Sequence, residues 1–193
     1  MSKNLRDFTK AVYGFDHVMR GVQVTMWDNA TPCEEWSARD VAGHVTGVIE
    51  MVGAQARGRA PAYDFMRDPG AIVGDDPYRS WYEVKEATLE ALDQLGALER
   101  LARTPRGPQP VDELIGDTVV DSIVHTWDLA RGVNGDERLD EGLVLRGIGI
   151  IEPLTPMLSS TPYYKEPQST RPSASAQDKL LALTGRNPHR DGR

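Results

Sequence analysis

Apolar residues recur at Leu5, Phe8, Val12, Phe15, Met19, Val22 and Met26, alternating three and four positions apart. This spacing predicts a helix over about 5–26 with one buried face. A loop with Asn29, Thr31 and Pro32 follows, and Ser37-Ala38-Arg39-Asp40 then reads as a cap with an acidic third position, opening a second helix to about Arg57. Its inner face holds Val41, His44, Val45, Val48 and Val52. Gly58 to Gly74 contains Gly58, Pro61, Pro69, Gly70 and Gly74, too many breakers for a regular element, and predicts a long surface loop of the kind that often carries function. Asp76-Pro77 supplies a cap and a proline at the first helical position, and Trp81, Val84, Thr88, Leu92 and Leu95 continue at helical spacing to about Ala102.

Pro105, Gly107, Pro108 and Pro110 make 103–110 a breaker-rich connection. A fourth helix is expected from about Val111 to Arg131, stopped near Gly132 and Asn134-Gly135. A fifth runs from Asp140 to about Leu158, with Pro153 and Pro156 expected to kink or shorten it. The Ser-, Thr- and Pro-rich stretch 159–176 is expected to be extended, covering the bundle or partly disordered. Asp178 to Gly185 then offers a short terminal helix with Leu180, Leu181 and Leu183 to dock. With no period-two alternation, no repeat and no internal boundary, the reading is an all-α up-down bundle. It forms a single domain over 1–193, with the core at about 5–158 and a C-terminal extension at 159–193.

Composition narrows the function classes. The chain has 193 residues, 39% hydrophobic and 26% charged, which suits one soluble globular domain. No apolar run approaches ~18 residues, so no membrane span is expected. Met1-Ser2-Lys3-Asn4-Leu5-Arg6-Asp7 lacks a signal-peptide pattern, which points to the cytoplasm. Lys+Arg 22 against Asp+Glu 29 gives a net charge of −7, and the basic residues do not interleave with aromatics, so nucleic acid is not an expected partner. The single cysteine, Cys33, excludes an intrachain disulfide. The absence of a G-x-S-x-G elbow, a Walker A loop, a strand-borne G-x-G-x-x-G and a C-x-x-C removes serine-hydrolase, P-loop and Rossmann readings.

The remaining chemistry centres on three residues. Asp121 and His125, four apart, project from one helix face, and His44 lies on the inner face of another. Facing helices of a bundle are a common place to assemble a metal site, and two imidazoles with one carboxylate suit Zn²⁺, Ni²⁺ or Fe²⁺ with coordination positions left open. The competing reading of each histidine is a hydrogen-bonded core residue. His17 is expected to face solvent or pack at the helix edge, His189 to be solvated, Cys33 to be a small structural hydrophobe, and Trp36, Trp81 and Trp127 to be core anchors. Asp128 and Arg131, three apart, read as a surface ion pair.

The flanking residues carry a family resemblance. Thr31-Pro32-Cys33-Glu34-Glu35-Trp36-Ser37-Ala38-Arg39-Asp40-Val41-Ala42-Gly43-His44 resembles a segment of the actinobacterial branch of the DinB/YfiT-like superfamily. That branch includes the mycothiol-dependent maleylpyruvate isomerase N-terminal domain. Asp121-Ser122-Ile123-Val124-His125-Thr126-Trp127-Asp128-Leu129-Ala130-Arg131 resembles a second family segment, and Ser175 to Pro188 resembles the end of its single-domain members.

The resemblance implies a DinB-like four-helix up-down-down-up bundle with an extra C-terminal helix and an extended tail. It implies a divalent metal, zinc first with nickel or iron as alternatives, held by His44, Asp121 and His125, and a low-molecular-weight thiol of the mycothiol type as co-substrate. The expected function is a metal-dependent S-transferase or isomerase acting on a small electrophilic metabolite. A thiol-independent Lewis-acid isomerase, lyase or cyclase of secondary metabolism is the alternative, and a non-catalytic metal-binding bundle the third reading. The chain leaves no room for the further domain of the two-domain isomerase, so maleylpyruvate isomerisation itself is not expected. Gly132-Val133-Asn134-Gly135 also departs from the family's usual Ala-Thr-Gly. Segments 58–74 and 161–171 are expected to shape substrate access, and a homodimer through helix faces is expected.

Overall fold

The structure, a computed structural model, describes residues 1–155 and 165–189. Helix α1 (Lys3–Gly21) opens where the Ser2 hydroxyl accepts from the Leu5 amide, and buries Phe8, Val12, Phe15 and Met19. It ends five residues before the apolar spacing does: Val22 is extended, and Val24–Met26 forms a separate 3-10 turn. The β-branched residues Val22, Val24 and Thr25 disfavour another helical turn, and the bend leads the chain into the 29–37 loop. Helix α2 (Ala38–Ala56) starts on a reciprocal capping box in which Ser37 and Asp40 satisfy each other's backbone amides.

The stretch 58–74, expected to be a loop, contains a short helix, α3 (Pro69–Val73). Helix α4 (Pro77–Leu92) is capped by Asp76, whose carboxylate accepts from the Arg79 amide, and is shorter than its spacing predicts. The chain turns through Gly96, at φ +79°, and Leu95 is fully exposed instead of continuing the inner face. Strands β1 (Leu101–Thr104) and β2 (Gly107–Pro110) then form an antiparallel hairpin with Leu101 opposite Pro110 and Thr104 opposite Gly107. Buried Gln55 of α2 secures it, accepting from the Arg103 amide at 3.1 Å and donating to the Arg103 carbonyl at 3.4 Å. Four-residue strands are too short for alternation to be legible against their prolines.

Helix α5 (Val111–Gly132) occupies the predicted interval, and Asn134, at φ +55°, supplies the left-handed residue that ends it. Helix α6 (Glu141–Ile151) passes into a 3-10 turn at Glu152–Leu154, where Pro153 shortens it; Pro156 and the predicted end at 158 lie outside the described residues. Helix α7 (Ala176–Leu183) is the expected terminal helix, capped by Ser175, and docks on α6 with Leu180 against Gly147.

The four long helices form an all-α bundle in the cyclic order α1, α5, α2, α4, so α1 faces α2 across the core and α4 faces α5. Phe8, Phe15, Ile49, Trp81 and Ile115 are fully buried between them. Each such side chain contributes about 1.5–3 kcal/mol of hydrophobic stabilisation. Among the described residues no helix is long and apolar enough to cross a membrane.

Candidate metal centre

Facing each other across the α2–α5 contact, the two helices bring together the three residues singled out by spacing. The Asp121 Oδ1 atom lies 3.2 Å from His44 Nε2 and 3.5 Å from His125 Nε2. The two imidazole centroids are 4.9 Å apart with planes at 68°. One ligand atom from each residue lies within 4.8 Å of the others, close enough to share one ion. Both histidines are buried, whereas the Asp121 side chain is 28% exposed and opens toward a cavity.

Each ring is held through its other nitrogen. His44 Nδ1 lies 3.1 Å from the Phe65 carbonyl oxygen, and His125 Nδ1 lies 3.0 Å from Asp128 Oδ2. Both partners only accept, so both Nδ1 atoms carry hydrogen and donate. Each Nε2 therefore has two states: a lone pair aimed at a carboxylate oxygen, or a proton that makes the ring an imidazolium. Three electron-rich atoms converging in this way require a cation among them, supplied either by protons or by a metal ion. In the metal-free arrangement a proton on the His125 ring fills that role. Burial opposes it, but the Asp121 carboxylate and then Asp128 push the His125 ring up to about 9. Burial would likewise raise the Asp121 carboxyl, and the two imidazoles instead hold it far below the usual carboxylate range. The second oxygen of Asp121, Oδ2, is buried without a hydrogen-bond partner. A buried acceptor left bare is costly unless something else fills its place.

The surroundings explain how the sequence builds this. Gly43 and Gly47 of α2 let the backbone of 65–70 lie against the helix. A Cβ at Gly43 would sit 1.8 Å from the Pro69 carbonyl oxygen, and one at Gly47 would sit 2.6 Å from Phe65 Cβ. Asp40, already in the capping box, also accepts from the Gly70 amide at 3.2 Å, which pins the segment. The 31–37 turn is closed by Thr31, whose hydroxyl donates to the Trp36 carbonyl at 2.8 Å, and Glu35 takes a left-handed conformation at φ +67°. Trp36 is thereby laid over both rings, 4.8 Å from His44 and 5.7 Å from His125, so it caps the site instead of serving as a core anchor. A cavity of about 700 Å³ opens beside the cluster. Val48, Met51, Phe65, Val120 and Val124 give it apolar walls, with Cys33 and Arg186 at another side.

Several expectations are corrected. Asp128 is fully buried and makes no surface pair with Arg131; it joins His125 and, at 2.8 Å, Arg186. Arg131 pairs with Glu137 at 2.5 Å and stacks over Trp127 at 4.2 Å. Cys33 is half-buried, packing against the core as expected while also lining the cavity, and burial, with Asp128 adding to the effect, pushes its thiol up to about 11. It forms a second cluster of candidate ligands with His125 and Asp128, but Asp128 there is already engaged by Arg186 and the imidazole. His17 and His189 are exposed, as expected. The spacing of His125 and Asp128, three apart on one helix, could have revealed their bond. No sequence signal announces the Phe65 carbonyl.

An all-α bundle whose two facing helices converge two histidines and a carboxylate beside an open cavity belongs to a recognisable class. Residues 8–130 match the mycothiol maleylpyruvate isomerase N-terminal domain, and the chain belongs to that mycothiol-related, metal-binding family. Two uncharacterized proteins from different strains of Mycobacterium tuberculosis are each 26% identical over 180 residues, covering 92% of this chain and 94% of theirs. No solved structure matches the chain.

Proposed function

We propose that the protein is a cytoplasmic, single-domain enzyme over 1–193 that holds one divalent ion, zinc first, on His44, Asp121 and His125, and uses it with a small thiol of the mycothiol type. The observation that carries this reading is the convergence of two Nε2 atoms and a carboxylate with an unpartnered buried oxygen. The donor set fits a borderline divalent cation, and three protein ligands leave positions open for an exogenous group. When bound, the ion would act as a Lewis acid that favours thiolate over thiol at neutral pH. One carboxylate against a +2 ion leaves a net +1, which favours an incoming thiolate.

The chain's own residues divide the remaining work. The Phe65 carbonyl and Asp128 hold the Nδ1 side of each ring and so aim both Nε2 atoms inward. Trp36 shields the rings from one side, and the apolar walls formed by Val48, Met51 and Val124 exclude water and seat the carbon skeleton of a small electrophile. Transfer of the thiol to that electrophile, or thiol-assisted isomerisation of it, is the reaction class these features support.

Elemental analysis of tag-free protein beside the His125→Ala variant tests the metal, with about one equivalent expected in the first and none in the second. Turnover of small electrophiles with and without mycothiol then tests the thiol. Turnover that ignores added thiol would replace the thiol reading with Lewis-acid isomerase, lyase or cyclase chemistry.

A further inference from the structure

The end of α7 performs a task that lies outside the family match, which stops at residue 130. Gly185, at φ +79°, turns the chain back on the helix: its amide donates to the Ala182 carbonyl and the Arg186 amide to the Leu181 carbonyl at 2.8 Å. With Leu180 and Leu181 fully buried, this stop has one orientation relative to the bundle, and it delivers Arg186 onto α5. The Arg186 Nη2 donates to Asp128 Oδ2 at 2.8 Å and its Nε to Oδ1 at 3.4 Å, while Nη1 donates to the Thr184 carbonyl at 2.8 Å. From the opposite side, Arg131 of α5 donates to the Asn187 and Pro188 carbonyls at 3.1 and 2.8 Å. Two arginines thus cross between α5 and the tail, each holding the other's segment.

One of those crossings bears on the centre. Asp128 Oδ2 is the same oxygen that accepts from His125 Nδ1. We infer that Arg186 is a positioning residue: it fixes the buried Asp128 carboxylate so that Asp128 in turn fixes the His125 ring with Nε2 facing Asp121. This inference rests on the metal reading above and extends the site from the ligands of α2 and α5 to the C-terminal segment, 58 residues beyond Asp128. A forked guanidinium sets both the place and the plane of a carboxylate, which a single-point contact cannot do. Without it, the fully buried carboxylate keeps the single-point contact with the imidazole, which leaves its plane free to turn. Arg186 also lines the cavity, so a direct contact with substrate is the rival role.

The test is zinc affinity of the full chain, measured by competition with a chromogenic chelator, for wild type, Arg186→Ala, Arg186→Lys and Asp128→Asn. Arg186→Ala and Asp128→Asn are expected to weaken zinc binding about 10–100-fold, with Arg186→Lys recovering part of the loss. If Arg186→Ala fails to fold, Arg186→Gln, which keeps the aliphatic stem and removes the charged fork, is measured in its place and is expected to weaken zinc binding in the same way. Folded Arg186→Ala or Asp128→Asn protein that binds zinc as tightly as wild type would overturn the inference and leave Arg186 to the cavity it lines. Should wild type take up no zinc, the metal reading falls by itself. Positioning is then read by NMR from the His125 Nδ1 proton: slow exchange in wild type lost in Arg186→Ala supports it, and unchanged exchange refutes it.

Discussion

Two buried polar clusters sit in this bundle, and they are built to opposite rules. Between α1 and α4, Asp16 accepts from Trp81 Nε1 at 3.0 Å and Lys85 Nζ at 2.9 Å through one oxygen, and from Arg20 at 2.8 Å through the other. Lys85, 1% exposed, also meets Glu86 at 3.1 Å and lies over the Tyr82 ring at 4.7 Å. Both carboxylate oxygens are partnered and cations are already in place. At the α2–α5 cluster the carboxylate has one bare oxygen, Oδ2, and both rings turn their Nε2 atoms toward the other, Oδ1. The first cluster is complete as a piece of the fold, whereas the second is complete only with something added. Burial and charge alone do not separate a site from a scaffold; the balance of donors against acceptors does.

Replacing a ligand breaks the comparison most sharply. His44→Ala or Asp121→Ala is expected to reduce metal from about one equivalent to none while the circular dichroism of the bundle persists, as elemental analysis and far-ultraviolet spectra would show. Lys85→Ala should do the reverse, leaving metal content intact and lowering unfolding free energy in urea by about 3 kcal/mol, because it breaks a buried ion pair and leaves its carboxylate short of a cation.

Acid sharpens the contrast further. Burial opposes ionisation of Asp16, but bonds from Lys85 and Trp81 and the charges of Lys85 and Arg20 hold its carboxyl below the ordinary 3.8. A lowered folded value means that its contribution to stability is complete above the unfolded value and is lost as pH falls through the folded one. Urea unfolding of the paired Asp16→Leu, Lys85→Met variant should therefore depend less on pH below 3.8 than that of wild type. The smallest effect is expected for Cys33→Ser, which should keep full metal content. A loss there would shift the centre to the cluster of Cys33, His125 and Asp128.

Legibility in the sequence followed the reach of each signal. Helical spacing located α1, α2 and α5, and the Asp121/His125 interval with His44 selected the residues that meet in space, because a period along one helix is a local property. The end of α4 and the hairpin after it are not legible, since Leu95 continues a pattern whose burial depends on where the chain turns at Gly96. Asp128 shows the same limit from the other side: an acid three residues from an arginine looks like a surface pair until the fold places it in the core. Asp16 beside His17 gave no hint of burial, because its partners lie on α4, more than sixty residues away. Arg186 falls in the segment that resembles the end of the single-domain members, but no spacing along the chain ties it to Asp128, 58 residues earlier.

The two histidines are also anchored by different kinds of atom, and this sets how the protein can change over time. His125 depends on a side chain, so position 128 has little freedom to vary. His44 depends on a main-chain oxygen, which every residue type at position 65 would supply. The path of the 65–70 backbone is fixed by Gly43, Gly47 and Asp40, but the side chains it presents to the cavity are not. New substrates could be explored along that wall by ordinary substitution while the reactive centre stays intact, a separation of inheritance from innovation written into one carbonyl group.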